Sequence, residues 1–241
     1  MSGHSKWSTI KRQKGAADAK KSKVWTKILR EITVAAKLGG IDPAGNPRLR
    51  KALDDARVNN LSKDPINRAL AKAAGKEDSA DYEELTYEGY GPAGVAVIVS
   101  CLTDNRNRTY AEVRAAFNKN GGNMGTPGSV AFGFQKKGQI LLDKSENKNL
   151  TEDPILEWGL EAGLEELVDE PEGFVITCAP ESLHGLQDAL AAHKIQFASA
   201  EISMLADNPI ELSPENSDIL QHIVDALEDL DDVQKVFTSE A

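Results

Sequence analysis

Residues 82–102 read YEELTYEGYGPAGVAVIVSCL, and this stretch decides the fold. Residues 82–88 are rich in tyrosine and threonine, which favour a strand, and 95–102 form an apolar run rich in valine. Between the two, residues 89–94 hold three glycines and a proline, a composition typical of a turn. The pattern predicts two consecutive strands, the second of them buried.

Helices and further strands follow this pair. A helix is predicted over 108–120, with Thr109 and Glu112 as a capping box, and strands over 129–134 and 139–142 flank a turn at 136–138. A further helix begins at 153, and Leu164 and Leu167 continue its apolar stripe. The remaining predicted elements are a strand over 174–178, a helix over 180–193, a strand over 197–205, a helix from 213 and a strand over 233–238. This order is not a strict alternation of strand and helix. It therefore indicates an α+β fold of two small lobes, each a split βαβ or ferredoxin-like unit with helices on one face of an antiparallel sheet.

Upstream of residue 82 the pattern is helical. Apolar residues recur at helical spacing from about 18 to 38, and Asn46-Pro47 and Asp64-Pro65 each resemble a helix start. Residues 75–81 are polar and mark a domain boundary. The sequence thus predicts a three-helix domain ahead of the two α+β lobes.

Charge separates the same two parts of the chain. The net charge is −10, but residues 1–80 contain 18 Lys and Arg against 8 Asp and Glu, whereas residues 81–241 contain 10 against 30. A polyanion would be attracted to the first part and repelled by the second. Nucleic acid is therefore the expected partner of the N-terminal part.

Two groups of residues are candidates for this contact. The first is a basic arm with an aromatic residue inside it, a combination that suits phosphate contact and base stacking: Lys6, Trp7, Lys11, Arg12, Lys14, Lys20, Lys21, Lys23 and Lys27. For Trp7 a core position is an equal alternative, and Trp25 fits the core better. The second group is Arg106 and Arg108, before a predicted helix, where arginine can bind phosphate or can pair with neighbouring carboxylates in a capping turn.

No residue pattern points to catalysis, a metal or a cofactor. The four histidines are scattered, and Cys101 and Cys178 have no partner at ligand spacing. The glycine-rich stretch 121–129 lacks the Gly-Lys-Ser/Thr ending of a phosphate loop and is better explained as a helix end leading into a strand. No apolar run is long enough to span a membrane and no secretory signal is evident, so we expect a cytoplasmic, non-enzymatic protein.

Four motifs resemble the YebC family from end to end. They are Gly3-His4-Ser5-Lys6-Trp7, Tyr87-Glu88-Gly89-Tyr90-Gly91-Pro92, Thr103-Asp104-Asn105-Arg106-Asn107-Arg108-Thr109 and Gly121-Gly122-Asn123-Met124-Gly125. Trp25 departs mildly, since the family more often has phenylalanine there. The resemblance implies three domains: a basic helical domain over 1–80, an α+β domain formed by 81–132 with 207–241, and a second α+β domain, 133–206, inserted into it.

The resemblance also implies a function in gene expression. Family members resemble DNA-binding transcriptional regulators, and this is the first expectation. The alternative is a translation factor that associates with the ribosome and its RNA and relieves stalling on proline-rich stretches, as mitochondrial relatives resemble translational activators. Both readings leave the oligomeric state open and are compatible with a monomer.

Overall fold

The computed structural model describes Trp7 and residues 18–75 and 82–241. These residues fall into two compact units. The first unit consists of Ala16–Ser129 with Pro214–Val236, and the second includes Trp7, Val130–Ser213 and Phe237–Ala241. Within the described ranges, no helix is long and apolar enough to cross a membrane.

Seven helices and eight strands are assigned in the described chain. The helices are α1 (Asp18–Gly39), α2 (Pro47–Val58), α3 (Lys63–Ala73), α4 (Arg106–Lys119), α5 (Glu152–Gly159), α6 (Leu183–Ala191) and α7 (Pro214–Glu228). The strands are β1 (Glu83–Tyr90), β2 (Ala96–Thr103), β3 (Asn123–Met124), β4 (Phe134–Asp143), β5 (Leu164–Asp169), β6 (Gly173–Cys178), β7 (Ser199–Ala206) and β8 (Val233–Thr238). The predicted α+β class is confirmed.

The three N-terminal helices share one apolar core. Its buried members are Ile28, Ile32, Ala35, Ala36, Leu49, Ala52, Ala56, Leu61 and Ala69. Trp25 packs against this cluster and donates its indole N–H to the carbonyl of Asn59 at 2.9 Å, which confirms its core position. Asn46 caps α2 as predicted, accepting the N–H of Leu49. Helix α3, however, begins at Lys63 with Ser62 as its N-cap, two residues earlier than the expected cap at Asp64 and first helical residue at Pro65.

The first sheet has the strand order β3-β1-β2-β8 and belongs to the first unit except for the last residues of β8. Strands β1 and β2 form the predicted antiparallel hairpin, with Tyr87 opposite Val99. The core of this sheet contains the fully buried Val97, Val99 and Phe117, so the apolar run 95–102 lies at its centre. Helices α4 and α7 pack against each other beside the sheet.

The second sheet has the strand order β5-β6-β4-β7. Strand β4 pairs antiparallel with both β6 and β7, and the chain order strand–helix–strand–strand–helix–strand is that of the split βαβ, ferredoxin-like arrangement. The prediction is therefore confirmed for this lobe. Helices α5 and α6 cover one face through a buried core: Ile140, Leu142, Ile155, Leu164, Phe174, Ile176, Leu186 and Leu190.

Two expectations about this lobe were wrong. Strand β4 runs without a turn through the predicted turn at 136–138, because these residues pair with β7. Gly138 allows a close approach there, since a Cβ would lie 2.6 Å from the sulfur of Cys178. Leu164 and Leu167 belong to strand β5 and not to the preceding helix, which ends at Gly159. Leucines spaced by three or four residues fit a helix, but here the pairing of β5 with β6 decides their conformation.

Helix α4 also starts at a different place. It begins at Arg106, and Asn105 is its N-cap, accepting the N–H of Arg108 at 3.1 Å. The capping box expected from Thr109 and Glu112 was wrong, because the Thr109 hydroxyl turns inward and donates to Asp232 at 2.7 Å.

Candidate nucleic-acid interface

Much of the predicted basic arm lies outside the described residues. Lys6, Lys11, Arg12 and Lys14 fall there entirely, while Lys20 and Lys21 lie on the backbone of α1 with side chains outside the described part. The structure places five of the predicted contact residues: Trp7, Lys23, Lys27, Arg106 and Arg108.

Trp7 is a core residue of the second unit. Its side chain is 2% exposed and packs with Leu141 and Val175 on the side of the second sheet away from the main core. Its indole N–H donates to the carboxylate of Glu170 at 2.8 Å. Gly173 makes room for the ring, because a Cβ at this position would lie 2.5 Å from a Trp7 ring carbon. Base stacking by Trp7 does not fit this buried position, so the core alternative is the better one.

One face of α1 is engaged inside the first unit. Its basic side chains bind backbone carbonyls at the end of α7 and just beyond it. Lys27 donates to Glu228 at 2.6 Å, and Lys23 donates to Asp229 at 3.1 Å. Lys23 also lies 3.0 Å from the Asp229 carboxylate. These carbonyls lie at a helix C-terminus, where cations are stabilising.

Burial has a measurable effect on Lys27. Removal from water lowers the pKa of Lys27 below its ordinary value, and the nearby carboxylates of Glu228, Asp231 and Asp229 oppose that shift. Lys27 is therefore a packed residue whose charge is already balanced within the protein. Its position explains why charge counting alone overestimates the cations available to a partner.

Asp232 lies at the centre of a polar cluster that includes Arg108. The Asp232 carboxylate accepts Arg108 at 2.7 Å, Arg30 at 2.5 Å, the Thr109 hydroxyl at 2.7 Å and the Thr103 hydroxyl at 3.2 Å. Its side chain is 2% exposed. Burial by itself would raise the pKa of Asp232, but the hydrogen bonds of Arg108 and Thr109 and the charges of Arg30 and Arg108 lower it overall. The carboxylate is thus held in its charged form.

Arg108 therefore has a structural role. Besides Asp232 it contacts the Asp104 carboxylate at 2.8 Å, and these two hydrogen-bonded carboxylates raise its pKa further above the ordinary value. This geometry supports the capping-turn alternative over phosphate binding. Arg106 is different: its side chain is 68% exposed, and its nearest recorded carboxylate oxygen, that of Glu83, is 3.8 Å away.

The glycine-rich stretch 121–129 is also structural. The N–H of Gly125 donates to the carbonyl of Glu88 at 2.8 Å, and the N–H of Gly128 donates to its carboxylate at 2.6 Å. Glu88 is buried, so an internal acidic residue occupies donors that a phosphate would need. The stretch follows the end of α4, as expected, but it contains the short strand β3, and the strand expected over 129–134 begins only at Phe134.

Helix α3 presents basic side chains that the sequence reasoning did not select. Lys63, Arg68 and Lys72 are exposed, and no contact partner is recorded for them among the described residues. Asp64 is the one acidic residue of the helix. The signal was available, since Arg68 and Lys72 are four residues apart and the apolar stripe of Ile66, Ala69 and Leu70 lies elsewhere on the helix.

Two histidines of the second unit contact neighbouring side chains. His193 stacks on Trp158 with ring centroids 3.9 Å apart, and His184 lies 3.7 Å from the carboxylate of Asp188. Across the parts of the chain that the structure describes, no group of three or more His, Cys, Asp or Glu residues could hold a metal ion.

The fold and the exposed cations define a class: a multidomain α+β protein with a basic helical domain ahead of two small sheet lobes. Two family models match consecutive parts of this chain. The TACO1/YebC protein N-terminal domain matches residues 5–76, and the TACO1/YebC second and third domain matches residues 82–239. The chain belongs to the TACO1/YebC family.

Relatives match over nearly the full length. A probable transcriptional regulatory protein of Geobacter sulfurreducens is 48% identical over 239 residues, 99% of this chain and 95% of that protein. The probable transcriptional regulatory protein YebC of Shigella dysenteriae is 49% identical over 98% of this chain and 95% of its own. Among solved structures, a conserved hypothetical protein of Aquifex aeolicus has a TM-score of 0.81 and 38% identity, covering 93% of this chain and 91% of that one.

Proposed function

We propose that this chain is a non-enzymatic regulator of gene expression that binds nucleic acid through its basic helical domain. The proposal rests on three exposed cations of α3 that make no ion pair or hydrogen bond with another residue of the described chain: Lys63, Arg68 and Lys72. The names of the relatives, probable transcriptional regulatory proteins, support the same role and favour duplex DNA as the first partner to test.

The charge distribution supports an oriented contact. Residues 1–80 have 10 more basic than acidic residues, and residues 81–241 have 20 more acidic than basic ones. Because Lys23 and Lys27 are balanced within the protein, the cations of α3 are better placed to replace the counterions of a phosphate backbone. Over most of its surface the acidic remainder would repel a polyanion, which directs the contact to the exposed cations.

Fluorescence anisotropy with a labelled duplex DNA, titrated over a range of salt concentrations, tests this proposal. A triple variant in which Lys63, Arg68 and Lys72 are each changed to glutamate should bind more weakly. If each of these cations contacts one phosphate, the slope of the logarithm of the binding constant against the logarithm of the salt concentration should become less steep by about 2.7. The same duplex should remain intact after incubation with and without divalent metal.

A matched variant controls for net charge. Lys136, Lys148 and Lys194 are exposed lysines of the second unit, and their replacement with glutamate changes the net charge by the same amount. The control should retain the wild-type salt slope. Equal losses in both variants would mean that overall charge governs binding and that α3 is not the contact site, and absence of binding by the wild type would refute the proposal.

A further inference from the structure

Helix α4 presents a second stripe of exposed residues. Arg106, Tyr110 and Arg114 are spaced by four residues and are all exposed. An α-helix rises about 1.5 Å per residue, so successive members of this stripe are about 6 Å apart along one face. The stripe alternates a cation, an aromatic ring and a second cation.

The two arginines of the stripe are available for a partner. Arg114 has no recorded partner within residues 18–75 and 82–241. Arg106 has Glu83 at 3.8 Å, but their side chains are 68% and 62% exposed, so solvent screens this pair. Arg108 lies two residues after Arg106, off the stripe, and its guanidinium is paired with the carboxylates of Asp232 and Asp104.

The ring between them is exposed and oriented. Tyr110 is 45% exposed, so part of its side chain is open to solvent. Its ring meets that of Tyr87 in an edge arrangement, with centroids 6.2 Å apart and an interplanar angle of 61°. Tyr87 in turn places its hydroxyl 3.4 Å from the carbonyl of Arg106. The neighbouring ring thus limits the orientations of Tyr110 while leaving part of it open to a ligand.

We infer that this stripe binds an unpaired segment of RNA, with a base stacked on Tyr110 and the flanking phosphates on Arg106 and Arg114. Stacking on an aromatic side chain requires a base that has left a duplex, and folded RNA exposes such bases in loops and bulges. A duplex DNA would offer phosphates to the arginines but no free base face to the ring. The inference rests on the proposed nucleic-acid binding and adds a second, chemically distinct contact on a different helix from α3.

The test uses the full-length protein and short fluorescein-labelled oligouridylate and oligoadenylate RNAs. Tyr110→Ala should weaken binding about tenfold, whereas Tyr110→Phe should keep the wild-type affinity because the phenyl ring still stacks. Arg114→Ala should reduce the log–log salt slope by about 0.7, the value for one phosphate of a single strand. An RNA that contains 2-aminopurine should lose fluorescence on binding the wild type and Tyr110→Phe, but not Tyr110→Ala.

The remaining variants separate this inference from the proposed function. Lys148→Ala, an exposed lysine of the second unit, is the control, and an effect of Tyr110→Ala no larger than the control's would overturn the inference. If the α3 charge reversal abolishes nucleic-acid binding while Tyr110→Ala leaves the RNA affinity unchanged, the inference that the α4 stripe binds RNA is wrong and the proposed function stands. If the wild type binds neither duplex nor single strand, both are wrong. If single-stranded DNA of the same sequence binds equally well with the same dependence on Tyr110, the assignment to RNA is wrong.

Discussion

Replacing Asp232 with asparagine removes the negative charge that Arg30 and Arg108 share. The substitution keeps the size of the side chain, so the change is electrostatic. Arg30 would keep the carbonyl of Asp231 at 2.6 Å, and Arg108 would keep the carboxylate of Asp104 at 2.8 Å. Both arginines would lose their shortest carboxylate contact, and that contact is nearly excluded from water.

The size of the loss follows from burial. Removing one partner of a buried ion pair costs about 3–5 kcal/mol, because a charge is left unbalanced in a poorly solvated place. The Arg108 side chain is 41% exposed and retains a second carboxylate, which reduces the penalty on that side, whereas Arg30 is 17% exposed. We therefore expect Asp232→Asn to lower the free energy of unfolding by about 3 kcal/mol, the low end of that range.

Equilibrium urea unfolding, followed by circular dichroism and tryptophan fluorescence, measures this change. Trp25 lies in the same unit as Asp232 and reports on the helical core. Asp229→Asn is the matched control, because its pair with Lys23 is 60% and 40% exposed and should contribute less than about 1 kcal/mol. Equal effects of the two substitutions would refute the reasoning about the buried cluster.

Three further expectations concern pH, thiols and packing. Burial would raise the folded-state pKa of Asp232, but the hydrogen bonds of Arg108 lower it below the unfolded value of 3.8. The stability that the charged Asp232 contributes is therefore complete above pH 3.8 and is lost as the pH falls through the folded-state pKa. The difference in unfolding free energy between wild type and Asp232→Asn should therefore stay constant from pH 7 down to about pH 5 and then shrink, and a constant difference down to pH 2 would contradict this. Burial raises the pKa of Cys101 to about 12 and that of Cys178 above its ordinary value. Both thiols should therefore react slowly with Ellman's reagent in the native protein at about pH 8 and rapidly in urea. Fast labelling of the native protein would contradict their burial. Gly173→Ala should destabilise the second unit by about 1–3 kcal/mol in urea unfolding, since the new methyl group would overlap the carbonyl oxygen of Leu142 and the Trp7 ring. An unchanged midpoint would contradict this close packing around Gly173.

Local signals predicted most elements of the fold. Ser213-Pro214 indicated the start of α7, Asn46 indicated the cap of α2, and the valine-rich run indicated β2, because in each case neighbouring residues determine the conformation. The errors occurred where contacts distant in sequence decide. Leu164 is drawn into β5 by its pairing with Cys178, and Gly138 sits under the same cysteine, contacts that the periodicity of a short window does not contain.

The same distinction explains the candidate interface. A count of basic residues identifies the N-terminal part as cationic, but it does not reveal which charges are already balanced. The partner of Arg108 is 124 residues away in Asp232, and that of Lys27 is 201 residues away in Glu228. Arg106, the first residue of α4, is 68% exposed, whereas Arg108 two residues later is paired with Asp232.

We propose that nucleic acid binds the basic helical domain and the α4 stripe. Ultraviolet crosslinking of the native protein in cells, followed by sequencing of the attached nucleic acid and mass spectrometry of the modified peptides, tests it most directly. We expect nucleotide adducts on peptides from residues 1–75 and from α4, with Tyr110 among the modified residues. Adducts confined to the second unit between Val130 and Ser213, or a protein recovered without nucleic acid, would contradict it.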